Sequence, residues 1–155
     1  MVISTMLLPD GIKLIAFDDS NYLLIESLVA EAKQEGFEFV ARTVEEWSSG
    51  VNRFSRVGEG VWGLVCGAEL IGVGGLNFDP YVEEAGVGRV RHLYIRRDYR
   101  RTGCAGLLMN TIIGRARTYF RVLRLFTANP TAARFYEGLG FERVEGERVS
   151  HVMKL

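Results

Sequence analysis

The spacing of apolar positions changes along the N-terminal third of the chain and predicts three elements. The apolar run at residues 12–16 predicts a strand, and three- and four-residue spacing over residues 24–32 predicts a helix that ends before Gly36. Thr43 begins a Thr-Val-Glu-Glu stretch with the capping-box pattern, so a short second helix is expected there, ending near Gly50.

The middle of the chain carries short apolar runs that are typical of strands. The runs at residues 61–66 and 70–78, separated by Gly-Ala-Glu, predict an antiparallel hairpin. Three glycines inside the second run have no helical pattern after them, so they indicate a bulge or a close backbone approach rather than a dinucleotide-binding turn. A further strand is expected over residues 88–95.

The C-terminal third alternates between helical and strand patterns. An apolar stripe predicts a helix of about four turns that begins near Ala105. Asn129 and Pro130 supply the N-cap and first position of another helix, for which Gly140 is the terminator. The remaining predicted strands are residues 122–127, 141–144 and 149–155.

This order of elements predicts one α/β (α+β) domain over residues 1–155. The expected sequence is strand, two helices, three strands, helix, strand, helix and two strands, which favours a mixed, mostly antiparallel central sheet flanked by helices. Of the 155 residues, 48% are hydrophobic and 25% are charged, a composition that argues against disorder.

Charge is divided unevenly along a chain whose formal net charge is zero. Residues 1–87 contain 14 acidic and 5 basic side chains, a balance of −9, and residues 88–155 contain 5 acidic and 14 basic side chains, a balance of +9. This asymmetry suggests an anionic ligand for the C-terminal half, unless the two sets mingle on the folded surface.

Several classes of protein are disfavoured by what the sequence lacks. No apolar run approaches the ~20 residues of a membrane span, and residues 1–8 are too short and too poor in positive charge for a signal peptide, so a cytoplasmic protein is expected. Cys66 and Cys104 are too few for a disulfide framework, and with His92 and His151 they give no metal-ligand spacing. No metal is expected.

The stretch over residues 99–108 is a glycine-punctuated turn between a predicted strand and a predicted helix. Such a turn presents free backbone N–H groups and the positive end of a helix dipole, and is therefore an anion site. Six arginines lie between Arg89 and Arg101.

Two segments resemble the GNAT acyltransferase superfamily. Arg100-Arg101-Thr102-Gly103-Cys104-Ala105 fits its Gln/Arg-x-x-Gly-x-Gly/Ala pattern, and residues 129–141 resemble its Asn-x-x-Ala…Phe-Tyr…Gly-Phe segment. The resemblance covers about residues 60–144. It implies an N-acetyltransferase that moves an acetyl group from acetyl-CoA to a primary amine of a small molecule or peptide by direct attack.

The resemblance also implies how coenzyme A is held. Backbone donors of the glycine-rich turn would cradle the pyrophosphate, where small side chains leave room for it, and the fourth strand would bind the pantetheine arm as an added strand does. The implied cofactor-binding residues are Leu93, Tyr94, Ile95, Arg100, Arg101, Thr102, Gly103, Cys104, Ala105, Gly106, Asn129, Phe135 and Tyr136.

Tyr136 occupies the family position of the general acid that protonates the departing thiolate, and a backbone N–H near Leu93 would polarise the carbonyl. Many relatives have a glutamate base on the fourth strand where this chain has none. His92 is one candidate base, with an ordinary pKa near ~6.5. Glu83 is another, and Glu84 and Asp79 are further rivals.

The resemblance places the acceptor between the first two helices and the turn after the third strand, where acidic residues are frequent. A polyamine-like, aminoglycoside-like or peptide amine would suit such acids, which are equally explained as solvated faces. These acids are Glu31, Glu35, Glu38, Glu45, Glu46, Asp79, Glu83 and Glu84, and the aromatic residues Phe37, Phe39 and Trp47 are interleaved with them.

Two other functions compete with the enzyme. A domain that binds coenzyme A without turnover, as a sensor or interaction module, is favoured by the absent glutamate. Nucleic-acid binding by the arginine run is disfavoured because only Tyr94 and Tyr99 are available for stacking. The expected partner is an amine acceptor and neither a nucleic acid nor a membrane, and a homodimer is compatible with the sequence.

Overall fold

The computed structural model describes residues 11–155, and the segment considered above for a signal peptide lies outside that range. The strands are β1 Ile12–Ala16, β2 Gly60–Cys66, β3 Glu69–Phe78, β4 Val87–Ile95, β5 Val122–Leu125, β6 Glu142–Arg143 and β7 His151–Lys154. The helices are α1 Val29–Gln34, α2 Phe39–Ser49, α3 Cys104–Tyr119 and α4 Pro130–Gly138, and two 3-10 segments span Tyr22–Leu28 and Arg97–Tyr99.

The sheet has the strand order β1-β2-β3-β4-β5-β7-β6, and every neighbouring pair is antiparallel except the parallel pair β4 and β5. β4 pairs with β5 only at residues 87–89, although β4 continues to Ile95. β5 ends at Leu125, which pairs with His151 of β7. A cleft therefore separates the second half of β4 from the neighbouring strand.

Helices cover both faces of the sheet, as the sequence predicts. One buried cluster joins the sheet to α3 and α4 through residues such as Leu108, Ile112 and Leu123. A second cluster joins the other face to α1 and α2 through residues such as Val40 and Val73. Each fully buried aliphatic side chain contributes about 1.5–3 kcal/mol, so these two layers fix the sheet that carries the cleft.

A β-bulge lies in β4 beside the cleft. Gly75 of β3 pairs with Arg91 and Val73 pairs with Tyr94, so β4 has one extra residue there, and His92 adopts a left-handed backbone with φ of 60°. The predicted close approach at the glycines is confirmed, since a Cβ added to Gly72 would lie 2.7 Å from the Cδ1 atom of Ile95.

The structure corrects three predicted boundaries. The second helix begins at Phe39 rather than near Thr43, and the Thr43 hydroxyl donates to the Phe39 carbonyl inside the helix instead of capping it. The predicted first helix is a 3-10 segment followed by the short α1. β5 is shorter than predicted because the chain leaves the sheet after Leu125, where the Thr127 N–H donates to the Ser150 hydroxyl.

Candidate active site

The cleft between β4 and β5 opens into a cavity of about 560 Å³. Its floor is β4 from Val90 to Ile95, and its walls are the start of α2, the chain after β5 and the first half of α4. On the side of β5, this part of β4 has no strand partner. Backbone polar groups on that edge are therefore available to an extended ligand.

The connection from β4 to α3 brings a helix N-terminus to the cavity. Gly103 is the N-cap of α3 with φ of 87°, and the Leu107 N–H is the first to bond within the helix, 3.0 Å from the Gly103 carbonyl oxygen. The N–H groups of Cys104, Ala105 and Gly106 precede that bond and have no partner within the helix. Arg101 is exposed with φ of 63°, so its side chain leaves the turn open.

The side chain of Arg100 holds this connection against α1. Its guanidinium donates to both carboxylate oxygens of Glu35, at 2.6 and 2.9 Å, and to the Ile95 carbonyl oxygen at 3.0 Å. The Tyr94 hydroxyl donates to Glu35 and Glu31. The hydrogen bond from Arg100 lowers the pKa of Glu35, so the carboxylate is charged at neutral pH.

Tyr136 is buried in the cavity wall on α4. Its ring packs against Phe135, Phe141 and His151, and within residues 11–155 its hydroxyl makes no hydrogen bond. Burial raises the pKa of Tyr136, which therefore keeps its proton at neutral pH. The predicted cap of α4 is confirmed, because the Asn129 side-chain oxygen accepts from the first two N–H groups after Pro130.

His92 also lines the cavity, between the rings of Phe39 and Phe54. Burial, followed by the positive charges of Arg91 and Arg42, lowers the pKa of His92 to about 3. Neither ring nitrogen has a well-formed hydrogen bond with the described residues, although the backbone of Phe39 lies close enough to raise the pKa slightly. The imidazole is neutral at neutral pH and binds a proton weakly.

The three rival carboxylates lie outside the cavity lining. Glu83 is exposed in the turn between β3 and β4, and Glu84 is exposed and pairs with Arg121. Asp79 is buried, and one of its carboxylate oxygens lies 3.3 Å from Arg89 and 3.3 Å from Arg124. The structure thus brings His92 and Tyr136 to one cavity and leaves Glu83 on the surface.

The predicted cofactor residues divide between the cavity and the turn beside it. Those that line the cavity are Leu93, Tyr94, Ile95, Arg100, Ala105, Asn129, Phe135 and Tyr136. Those in the turn and the first helical turn are Arg101, Thr102, Gly103, Cys104 and Gly106. A splayed strand edge and a helix N-terminus with free N–H groups fit the pantetheine and pyrophosphate of coenzyme A.

The acceptor side of the cavity differs from the acidic surface expected from the sequence. No carboxylate lines it within residues 11–155, and its charged lining residues are Arg42, Arg89, Arg91 and Arg100. No sequence motif points to Arg42 or Tyr81 as a lining residue, whereas Phe37 and Phe39 line the cavity as expected. Arg89 and Arg91 alternate along the predicted fourth strand, which places both on one face.

Neither a membrane-spanning helix nor a cluster of metal-ligand side chains is found in the described part of the chain. Over residues 11–155, no helix is long and apolar enough to cross a membrane. The same residues contain no group of three or more His, Cys, Asp and Glu side chains that could hold a metal ion.

Comparisons with known proteins agree with this architecture. The family model described as the acetyltransferase (GNAT) domain matches residues 58–143. A proposed acetyltransferase from Exiguobacterium sp. 255-15 is similar in structure, with a TM-score of 0.81 and 27% identity over 92% of this chain and 93% of that chain. A search of curated protein sequences found no significant match.

More distant structures share the fold. An acetyltransferase from Streptococcus agalactiae 2603 gives a TM-score of 0.73 at 14% identity, over 95% of this chain and all of that chain (100%). A GCN5-related N-acetyltransferase from Kribbella flavida gives 0.71 at 17% identity, over 95% and 99%. The two motifs of the family lie beside the cleft, one at the N-terminus of α3 and the other around the buried tyrosine. The family model spans more than half of the chain, and the protein belongs to the GNAT acetyltransferase family.

Proposed function

We propose that the protein is an N-acetyltransferase that transfers an acetyl group from acetyl-CoA to a primary amine of a small molecule or peptide. The observation that carries the proposal is the cavity between β4 and β5, which joins an unpaired strand edge, the N-terminus of α3 and the hydroxyl of Tyr136. Acetyl-CoA supplies an acetyl group activated as a thioester.

The donor would be held mainly by backbone groups. The N–H groups of Cys104, Ala105 and Gly106 would bind the pyrophosphate at the positive end of α3. The β4 edge from Val90 to Tyr94 would bind the pantetheine arm. The Arg100 guanidinium is engaged by Glu35, so its proposed role is to hold the turn rather than to reach a phosphate.

Transfer needs one new bond, one broken bond and two proton movements. The neutral acceptor nitrogen attacks the thioester carbonyl, a C–N bond forms and the C–S bond breaks. A backbone N–H at the bulge near Leu93 would stabilise the developing oxyanion. Tyr136 would donate its phenolic proton to the leaving thiolate and regain one from solvent, while the acceptor nitrogen releases a proton to solvent.

Within residues 11–155, no carboxylate lines the cavity that could deprotonate the acceptor. His92, with a pKa of about 3, is a weak base and is proposed to accept a hydrogen bond from the amine rather than to remove its proton. The amine would therefore enter in its neutral form. Glu83 has no comparable support because it does not line the cavity.

A coenzyme A-binding domain without turnover is the second candidate function. It is favoured by the lining of the cavity, which contains no carboxylate base within the described range.

We further propose, as expected from the sequence, that the protein is a single cytoplasmic domain. A homodimer is compatible with this proposal.

Incubation with acetyl-CoA and a panel of amines separates the two functions. The enzyme releases free thiol only when an amine is present, and mass spectrometry detects one acetyl group added to that amine. Saturable binding of acetyl-CoA with no acetylated product from any amine would support the second function and contradict the first.

A further inference from the structure

Among residues 11–155, the charged side chains that line the cavity are all arginines. Two of the four are already paired, because Arg100 binds Glu35 and Arg89 shares Asp79 with Arg124. The Asp79 carboxylate is fully buried and faces both guanidiniums, so that group of three carries one uncompensated positive charge.

Arg42 and Arg91 lack any such partner. Neither side chain makes a hydrogen bond or an ion pair with residues 11–155. Both line the cavity, Arg42 from α2 and Arg91 from β4, and both act on His92, whose pKa they lower. Their charges therefore converge on the floor of the cavity beside the bulge.

Aromatic rings surround His92 on this side of the cavity. Phe39 and Phe54 lie on either side of His92, with ring centroids 6.1 Å from the imidazole in each case. Phe37 and Tyr81 complete the aromatic lining on this side. Both His92 ring nitrogens are buried without a hydrogen-bond partner of good geometry in the described chain.

A cationic acceptor is poorly suited to this side of the cavity. An ammonium group or a polyamine would meet the uncompensated charges of Arg42 and Arg91 with no carboxylate within the lining. A carboxylate or phosphate would instead form charge-assisted hydrogen bonds with the guanidiniums.

We propose that the acceptor is a small amine that also carries an anionic group, a carboxylate or a phosphate, bound by Arg42 and Arg91, with an apolar body against Phe37, Phe39 and Tyr81. This proposal rests on the N-acetyltransferase function proposed above and names its substrate class.

Matched amines test the proposal. Initial rates with acetyl-CoA are compared for phenylalanine, its phosphonate analogue 1-amino-2-phenylethylphosphonate, 2-phenylethylamine and spermidine. We expect kcat/KM to be at least about tenfold higher for an anionic amine than for 2-phenylethylamine. The comparison of phenylalanine with its phosphonate analogue shows whether the preferred anionic group is a carboxylate or a phosphate. A preference for spermidine or 2-phenylethylamine would overturn the proposal and leave the acetyltransferase function intact.

Variants locate the preference. The double variant Arg42→Gln/Arg91→Gln should lose the advantage of the anionic amine over 2-phenylethylamine. Arg117→Gln, an exposed arginine of α3 outside the cavity, is the matched control and should behave as the wild type. An unchanged preference in the double variant would contradict the assigned residues.

A binding experiment keeps the proposal testable without turnover. Calorimetry in the presence of coenzyme A compares N-acetylphenylalanine with its uncharged amide. We expect the acid to bind at least about tenfold more tightly, and the double variant to abolish the difference. Equal binding of acid and amide by the wild type would overturn the proposal, whatever the outcome of the rate assay.

Discussion

At the scale of single residues, Tyr136 and His92 are distinguished by what burial does to each. Burial raises the pKa of the tyrosine and lowers that of the histidine, so at neutral pH the tyrosine keeps its phenolic proton and the histidine is a neutral imidazole. The proposed mechanism uses the tyrosine as the acid that protonates the thiolate and assigns no strong base to the amine.

Replacing Tyr136 by phenylalanine tests the acid. The ring packing against Phe135 and Phe141 is retained, so we expect kcat to fall by about 100-fold or more while the Kd for acetyl-CoA changes by less than about twofold. Steady-state kinetics and calorimetry measure the two quantities. Tyr119→Phe, an exposed tyrosine of α3, is the control, and equal kcat in the Tyr136 and Tyr119 variants would refute the role.

His92 gives a pH dependence of stability whose sign is fixed by its lowered pKa. Between pH ~6.5 and pH ~3 the unfolded chain binds a proton that the folded chain does not, so His92 lowers the free energy of unfolding as pH falls, by up to about 1.4 kcal/mol per pH unit. His92→Asn removes this effect, and asparagine tolerates the left-handed backbone.

Urea unfolding of wild type and His92→Asn from pH 7 to pH 4 measures the effect. We expect the free energy of unfolding of the wild type to fall more steeply than that of the variant, since carboxylates common to both cancel in the comparison. Parallel curves would show that His92 titrates normally.

The sequence identifies residues of the donor side better than those of the acceptor side. Tyr136 and Gly103 belong to motifs with fixed spacing, so their roles can be predicted without a structure. Arg42 and Phe37 belong to no motif, and they reach the cavity only because α2 packs beside β4. The low pKa of His92 likewise depends on burial that a lone histidine in a strand pattern does not reveal.

At the level of the elements, the proposed donor binding depends on the start of α3. The turn before it passes through two left-handed residues, Arg101 and Gly103, and only then do the free N–H groups of the helix appear. Glycine adopts that backbone without strain, whereas at position 101 an arginine does so with its side chain exposed.

Substitution of Gly103 tests the turn. Gly103→Val places a β-branched side chain at φ of 87°, and Gly103→Asn adds a side chain that tolerates this backbone. We expect both to raise the Kd for acetyl-CoA by at least about tenfold. Gly114→Ala is the control, because its added Cβ has no atom within 4 Å. Wild-type affinity in a folded Gly103 variant, checked by thermal unfolding, would overturn the assignment.

The boundaries that the sequence predicted wrongly depend on tertiary contacts. Thr43 has the local pattern of a cap, yet the helix extends back to Phe39, whose ring packs against Phe37 and Tyr94. β5 has an apolar pattern that continues past Leu125, but pairing with β4 ends at Arg124. The α4 boundaries were predictable because Asn129 and Gly140 act through local backbone chemistry.

In the molecule as a whole, some of the opposite charges of the two halves of the chain pair with each other. Glu31 and Glu35 in the acidic half pair with Arg96 and Arg100, and Asp79 pairs with two arginines of the basic half. The two sets of charges are therefore in contact at these pairs. Of the arginines that line the cavity, Arg42 and Arg91 have no ion-pair partner among residues 11–155.

A crystal structure of the complex with acetyl-CoA would show whether the cleft between β4 and β5 binds the donor. We expect the pyrophosphate at the N–H groups of Cys104, Ala105 and Gly106, the pantetheine arm along β4 from Val90, and the sulfur beside the hydroxyl of Tyr136. A donor bound outside the cleft between β4 and β5, or a sulfur distant from Tyr136, would contradict this expectation.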